Sequence, residues 1–162
     1  MRTRVEELRE RLRSVQSAES EADLKVLDEA VSAIFRESLA TQCFADLFQI
    51  FERFPSKDGF GVFWSILHGL EAVPGYEPFL MESAGRAPSE FTVRMINRMI
   101  NAGELRIGSR ELLSVLEHIA ARADIPALVR DQAAGFVSHQ QKKRGEPGGA
   151  ANQSKPVKPD KN

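Results

Sequence analysis

Residues 21–54 read EADLKVLDEAVSAIFRESLATQCFADLFQIFERF, and this stretch decides the fold. Leu24, Leu27, Val31, Ile34 and Phe35 recur at steps of three and four, the spacing that brings side chains to one side of an α-helix. Phe44, Leu47, Phe48 and Phe51 repeat the pattern after a short polar break. The spacing predicts one helix over about 21–38 and a second that Thr41 opens as N-cap. Pro55 ends the second, because it disfavours helical geometry at Phe54.

Working outward, no strand pattern competes. Toward the N-terminus, Val5, Leu8, Leu12 and Val15 form a narrow apolar seam on a very polar helix. The seam can pack on the body or on a second copy. Two heptads make a marginal coiled coil, so the body is the expected partner and a monomer is expected over a dimer. Toward the C-terminus, Asp58 is expected to start a fourth helix whose core face is Phe63, Ile66, Leu67 and Leu70, with Pro74-Gly75 stopping it. A short helix over 76–83 follows. Ser89 caps a sixth over 90–102, with Gly103 at its C′ position. Ser109 caps a seventh bearing Leu112, Leu113, Leu116 and Ile119. Asp124 and Pro126 open an eighth bearing Leu128, Val129, Ala133, Phe136 and Val137. The expected fold is all-α: about eight helices in a compact bundle or a short HEAT-like right-handed stack. One domain is expected over 1–141, followed by a disordered basic tail over 142–162, where GEPGGAANQSKPVKPDKN has too few apolar residues to offset its ordering entropy.

Ten Phe against one Trp and one Tyr supply core volume without help from metals or disulfides. The single cysteine, Cys43, excludes an intramolecular disulfide and reads as a small core residue. No apolar run approaches the ~20 residues of a membrane span. The N-terminus lacks the apolar stretch of a signal peptide, so no membrane association and a cytoplasmic location are expected. The net charge of −1 hides an asymmetry. Residues 142–162 carry six basic and two acidic residues, a net +4, which leaves −5 on residues 1–141. A mildly acidic body argues against direct nucleic-acid binding and suits a basic protein partner.

The residues give no catalytic constellation. His68, His118 and His139 share no ligand spacing with one another. His68 and Glu71 stand three apart on a helix, as in di-metal bundles, but no other helix offers a matching pair, so no metal and no cofactor are expected. There is no Gly-x-Ser-x-Gly elbow, and Gly59-Phe60-Gly61 lacks the strand and the Lys-Ser/Thr pair of a phosphate loop. No enzymatic activity is expected. Two features stand out. Trp64, His68 and Glu71 form an aromatic and polar stripe beside the core stripe of the fourth helix, a candidate binding surface. On the sixth helix, Arg94, Asn97, Arg98 and Asn101 make a polar face opposite Val93, Ile96, Met99 and Ile100. Two mid-helix Asn residues lower helix propensity, so this face reads as structural, bonding loop carbonyls between helix layers.

The runs W-x-x-L-H-x-L-E (64–71), Y-E (76–77), R-x-P-S (86–89) and N-R-x-x-N-x-G (97–103) resemble those of small bacterial immunity proteins. Such proteins are encoded beside polymorphic toxins of the contact-dependent inhibition, Rhs and type VI secretion kinds. The resemblance covers roughly residues 60–104. It implies a cytosolic antidote that binds a cognate toxin domain, a basic nuclease being one candidate, and occludes its active site. Trp64, His68, Glu71, Tyr76, Glu77, Glu82 and Arg86 are the partner-binding candidates on this reading. Partner contacts could also lie on Asp28, Glu29, Glu37, Asp46 and Glu52 of the second and third helices. The competing readings are a helical adaptor joining two proteins, and an enzyme whose site assembles from distant ionisable groups.

Overall fold

The computed structural model describes residues 1–145, and within them the chain is helical nearly throughout. Eight α-helices follow one another: α1 (Arg4–Ser14), α2 (Glu21–Arg36), α3 (Ala40–Arg53), α4 (Val62–Glu71), α5 (Glu77–Arg86), α6 (Glu90–Asn101), α7 (Leu112–Ala120) and α8 (Ala127–Lys143). A single 3-10 turn, Gly59–Gly61, precedes α4. A two-stranded hairpin, β1 (Arg106–Ile107) and β2 (Arg110–Glu111), separates α6 from α7.

Side chains fix the starts of three of these helices. Thr3 and Glu6 form a reciprocal capping box at α1, and Ser20 caps α2. Ser89 caps α6 in a second box, completed by Thr92 where Glu or Gln is usual. At the other end of α6, the amide of Gly103 donates to the Ile100 carbonyl and that of Glu104 to Met99. Those two bonds are the Schellman closure that Gly103 promised.

Several boundaries depart from the sequence reading. Thr41 is not the N-cap of α3. Ser38 takes φ +58, the chain reverses at once, and α3 begins at Ala40 behind Leu39, which offers no capping side chain. Asp58 caps the 3-10 turn rather than α4, which begins four residues later at Val62. Ser109 lies in the hairpin turn and Glu111 stands at the N-cap of α7. The hairpin was illegible as alternation because each strand has two residues; its mark is Gly108 at φ +59 in a two-residue turn. Leu128 is 60% exposed rather than in the core. Helix α8 runs through Lys143, so Lys142 and Lys143 belong to the folded body. The expected disorder falls on residues 146–162, outside the described ones.

Each helix packs mainly on neighbours one to three places along the chain. Helix α1 lies on α2 and α3, α3 reaches α5 and α6, and α6 carries α7 and α8. One apolar core runs through all of them, from Leu8 and Leu12 to Val129 and Ala133. Its centre is aromatic: Phe51 of α3 stacks on Phe91 of α6 at 5.2 Å between ring centres, and Phe63 of α4 meets both edge-on at 5.7 Å. Gly69 lets α2 and α4 close together, since a Cβ there would stand 2.4 Å from the Phe35 ring.

The first helix buries its seam within its own chain, with Leu8, Leu12 and Val15 at most 1% exposed. Polar contacts hold it there. Asp46, buried on α3, accepts from Arg9 Nε at 2.7 Å and from Arg13 Nη2 at 3.2 Å. Arg53, at the end of α3, donates to the carbonyls of Leu12 and Val15, each at 2.7 Å. These carbonyls lie at the C-terminal end of α1, where Leu12 also accepts the Val15 amide at 3.4 Å, so the guanidinium caps a helix end from outside.

Candidate functional site

The aromatic core opens onto the surface along α4. Trp64 contacts Phe91 edge-on at 5.4 Å, and His68, one turn along α4, stacks on the indole at 5.7 Å. Arg94 of α6 lays its guanidinium 4.8 Å from the centre of the Trp64 ring and 5.0 Å from that of Phe91. A cation this close to two ring faces is attracted by their quadrupoles, by roughly 0.5–2 kcal/mol. Arg94 meets no carboxylate among the described residues. Its place on the polar face of α6 therefore goes to ring stacking, not to bonds between helix layers.

The turn before α4 adds a feature the sequence analysis passed over. Gly59, Phe60 and Gly61 have φ of +56, +48 and +93 in succession. Glycine suits the flanking positions, and at Gly59 a Cβ would also come within 2.7 Å of the Phe63 ring. Phe60 is different, since a residue with a Cβ in this region costs roughly 1–2 kcal/mol. The Asp58 carboxylate holds it by accepting the Phe60 amide at 3.0 Å. The ring gains nothing from the core, being 77% exposed.

Phe60, Trp64, Phe91 and Arg94 line one hollow of about 330 Å³, together with Asp58 and Glu90. A second hollow, of about 610 Å³, lies at the other end of α4. Glu71, Tyr76, Glu77 and Arg98 line it, with Arg106 of the hairpin. Trp64 and Glu71 lie roughly 10 Å apart along the helix. The stripe Trp64–His68–Glu71 thus bridges the two hollows on the face where α4 packs on α6.

In the second hollow Glu71 and Arg98 are paired, while Glu77 and Arg106 meet no ionic partner among the described residues. Arg98 Nε donates to Glu71 at 2.9 Å, tying α6 to α4, and His68 Nδ1 stands 3.9 Å from the same carboxylate. Tyr76 is buried at 8% exposure, and burial, with the nearby Glu77 and Glu71 carboxylates, pushes its phenol up to about 12. Tyr76 therefore presents little of its surface to the hollow it lines.

The remaining candidates divide. Glu77 lines the second hollow and is part-buried. Glu82 is exposed on α5 and lines neither hollow. Arg86 donates both Nε and Nη2 to Glu52, at 2.8 and 2.9 Å, and Ser83 Oγ completes the contact at 3.0 Å. That cluster joins α5 to α3. The acidic residues of α2 and α3 are also largely committed: Glu37 pairs with Arg4, Asp46 with Arg9 and Arg13, and Glu52 with Arg86. Asp28 and Glu29 stay exposed. Asn97 and Asn101 both accept from Gln140 of α8, so they bond between helix layers, to a side chain and not to loop carbonyls.

Among the described residues, no three His, Cys, Asp or Glu side chains converge as a metal site would require. Cys43 is fully buried, and burial raises its thiol pKa, which opposes nucleophilic use. His118 and His139 are exposed on separate helices. No described helix is long and apolar enough to cross a membrane. What the arrangement offers chemically is an exposed aromatic and cationic face, suited to non-covalent docking. No protein-family model, no curated protein and no solved structure matches this chain.

Proposed function

We propose that this chain is a protein-binding module that docks its partner on the α4–α6 face. One observation carries the reading: Phe60 is held in the left-handed region with its ring in water, in one hollow with Trp64 and Arg94. Backbone preference and core packing both oppose that arrangement. Burial of the ring against a partner would recover about 1.5–3 kcal/mol, enough to offset the strain. Aromatic and Arg side chains clustered around a hollow are the usual anchors of protein interfaces.

The partner we propose is a cognate toxin domain, and the role that of an immunity protein occluding its active site. The motif resemblance over 60–104 supports this, and it includes Trp64 and His68 of the same face. The acidic balance of residues 1–141 supports a basic toxin, a nuclease being one such class.

The test is co-expression with the toxin domain encoded beside this chain. Rescue of growth, a one-to-one complex with Kd of about a nanomolar or tighter, and loss of both in Arg94→Glu are expected. The chain has a single Trp, so Trp64 fluorescence reports docking directly. Absence of rescue and of any complex would overturn the toxin assignment. A complex whose formation leaves Trp64 fluorescence unchanged would overturn the docking face.

A further inference from the structure

A third hollow, of distinct chemistry, lies between α6 and α8. It measures about 510 Å³ and is lined by Asn97, Asn101, Gln132, Gly135, Phe136 and His139. Hydrogen bonding fixes which way its amides present. Gln140 Nε2 donates to Asn97 Oδ1 at 2.8 Å and to Asn101 Oδ1 at 2.7 Å, so both of its protons are used. Lys143 Nζ also donates to Asn101 Oδ1, at 3.2 Å. Both Asn oxygens are thereby engaged, and the amide N–H groups of Asn97 and Asn101 meet no acceptor among the described residues. On the α8 side, Gln132 Oε1 is shielded from solvent and has no hydrogen-bond donor. The hollow offers the unpaired N–H groups of two neighbouring Asn amides.

Gly135 gives an independent reason to regard the hollow as built for occupancy. It lies mid-way along α8, where glycine destabilises a helix by roughly 1 kcal/mol relative to alanine. Gly69 has a steric reason for its lack of a side chain, in Phe35; a Cβ on Gly135 would meet nothing within 4 Å. Internal packing does not require the glycine. Its effect is to keep the hollow open.

We infer that this hollow binds an extended polypeptide segment through its main chain. Asn97 and Asn101 are one turn apart, about 6 Å along α6. Same-side carbonyls of an extended chain recur every ~6.7 Å, so successive ones can each accept from one Asn. Lys142 and Lys143 meet no carboxylate among the described residues, and Lys143 stands at the Asn101 end. The segment is therefore acidic, with carboxylates beside the carbonyl held by Asn101. Phe136 is packed against the core, which leaves its ring poorly placed to stack a nucleobase and disfavours a nucleotide.

The test uses the folded chain with three blocked octapeptides: alternating Glu and Ala, the same peptide with each Ala carbonyl replaced by the weakly accepting thiocarbonyl, and alternating Lys and Ala. Side-chain amide resonances of Asn97, Asn101 and Gln132 provide the readout. The Glu-Ala peptide should move all three. The Lys-Ala and thioamide peptides should bind about tenfold or more weakly. Gly135→Leu fills the hollow from a position with open space, so it should fold and lose about tenfold or more in affinity. Equal affinity in Gly135→Leu would overturn the inference, as would undiminished binding of the thioamide peptide. So would the absence of any shift with the Glu-Ala peptide, or adenosine monophosphate moving these resonances where the peptide does not.

Discussion

The Asp58 carboxylate accepts the amide of Phe60 at 3.0 Å and so holds an aromatic residue at φ +48 with its ring in water. The fold gains little from this pairing, and the proposed docking face gains its most exposed aromatic ring. Phe60→Asn separates the two effects. Asn tolerates the left-handed region, so the variant should be as stable as the parent or more stable by up to about 1 kcal/mol. Affinity for the partner should fall about tenfold or more. Urea unfolding and titration calorimetry check the pair of outcomes, and a destabilised variant would contradict the strain argument.

The α1 anchor rests on Arg53. Arg53→Ala removes its bonds to the Leu12 and Val15 carbonyls and should destabilise by about 1–3 kcal/mol. The loss should be local first. Hydrogen exchange in α1 should accelerate more than in α3 and α6, because α1 lies at one end of the helix succession.

Close approach of α2 and α4 makes Gly69 intolerant of the smallest side chain. Gly69→Ala places a Cβ 2.4 Å from the Phe35 ring and should cost roughly 1–3 kcal/mol despite its better helix propensity. The double variant Gly69→Ala, Phe35→Leu should recover part of that, which a thermal melt would show.

Tyr76 is the chain's only tyrosine, so tyrosinate absorbance titrates it alone. Its folded pKa lies near 12, above the ordinary 10.0, so the native state holds the proton more tightly than the unfolded chain. Stability is then complete below pH 10 and is lost as pH rises toward 12. Tyr76→Phe should remove this alkaline component. An unperturbed midpoint in the native protein would refute the burial of the phenol.

The acid side has the opposite sign. Glu37 is held below its ordinary 4.5 by hydrogen bonds from Arg4. The stability it contributes is present above pH 4.5 and fades as pH falls through the lowered value. Arg4→Met should narrow the gap to the parent protein at low pH, measured as urea midpoints across the acid range.

Periodicity alone determined the helical class, because a residue's place on a 3.6-residue repeat is a local property. Leu24 to Phe35 and Phe44 to Phe51 needed no tertiary information, and neither did Ser89 or Gly103, whose bonds close within a few residues. Positions that answer to something distant were a different matter. Whether Tyr76 faced water, whether Arg94 bonded a carbonyl or stacked on Trp64, and whether Glu37, Asp46 and Glu52 were free or paired depended on side chains far along the chain. Phe60 shows the limit most plainly. Two glycines around an aromatic residue have no period to read, and only the packing of α4 on α6 puts Trp64 and Arg94 beside that ring. The α6–α8 hollow is of the same kind: Asn97 and Asn101 were visible as a face, but their partner Gln140 lies about forty residues away, and the fold alone turned their amides outward.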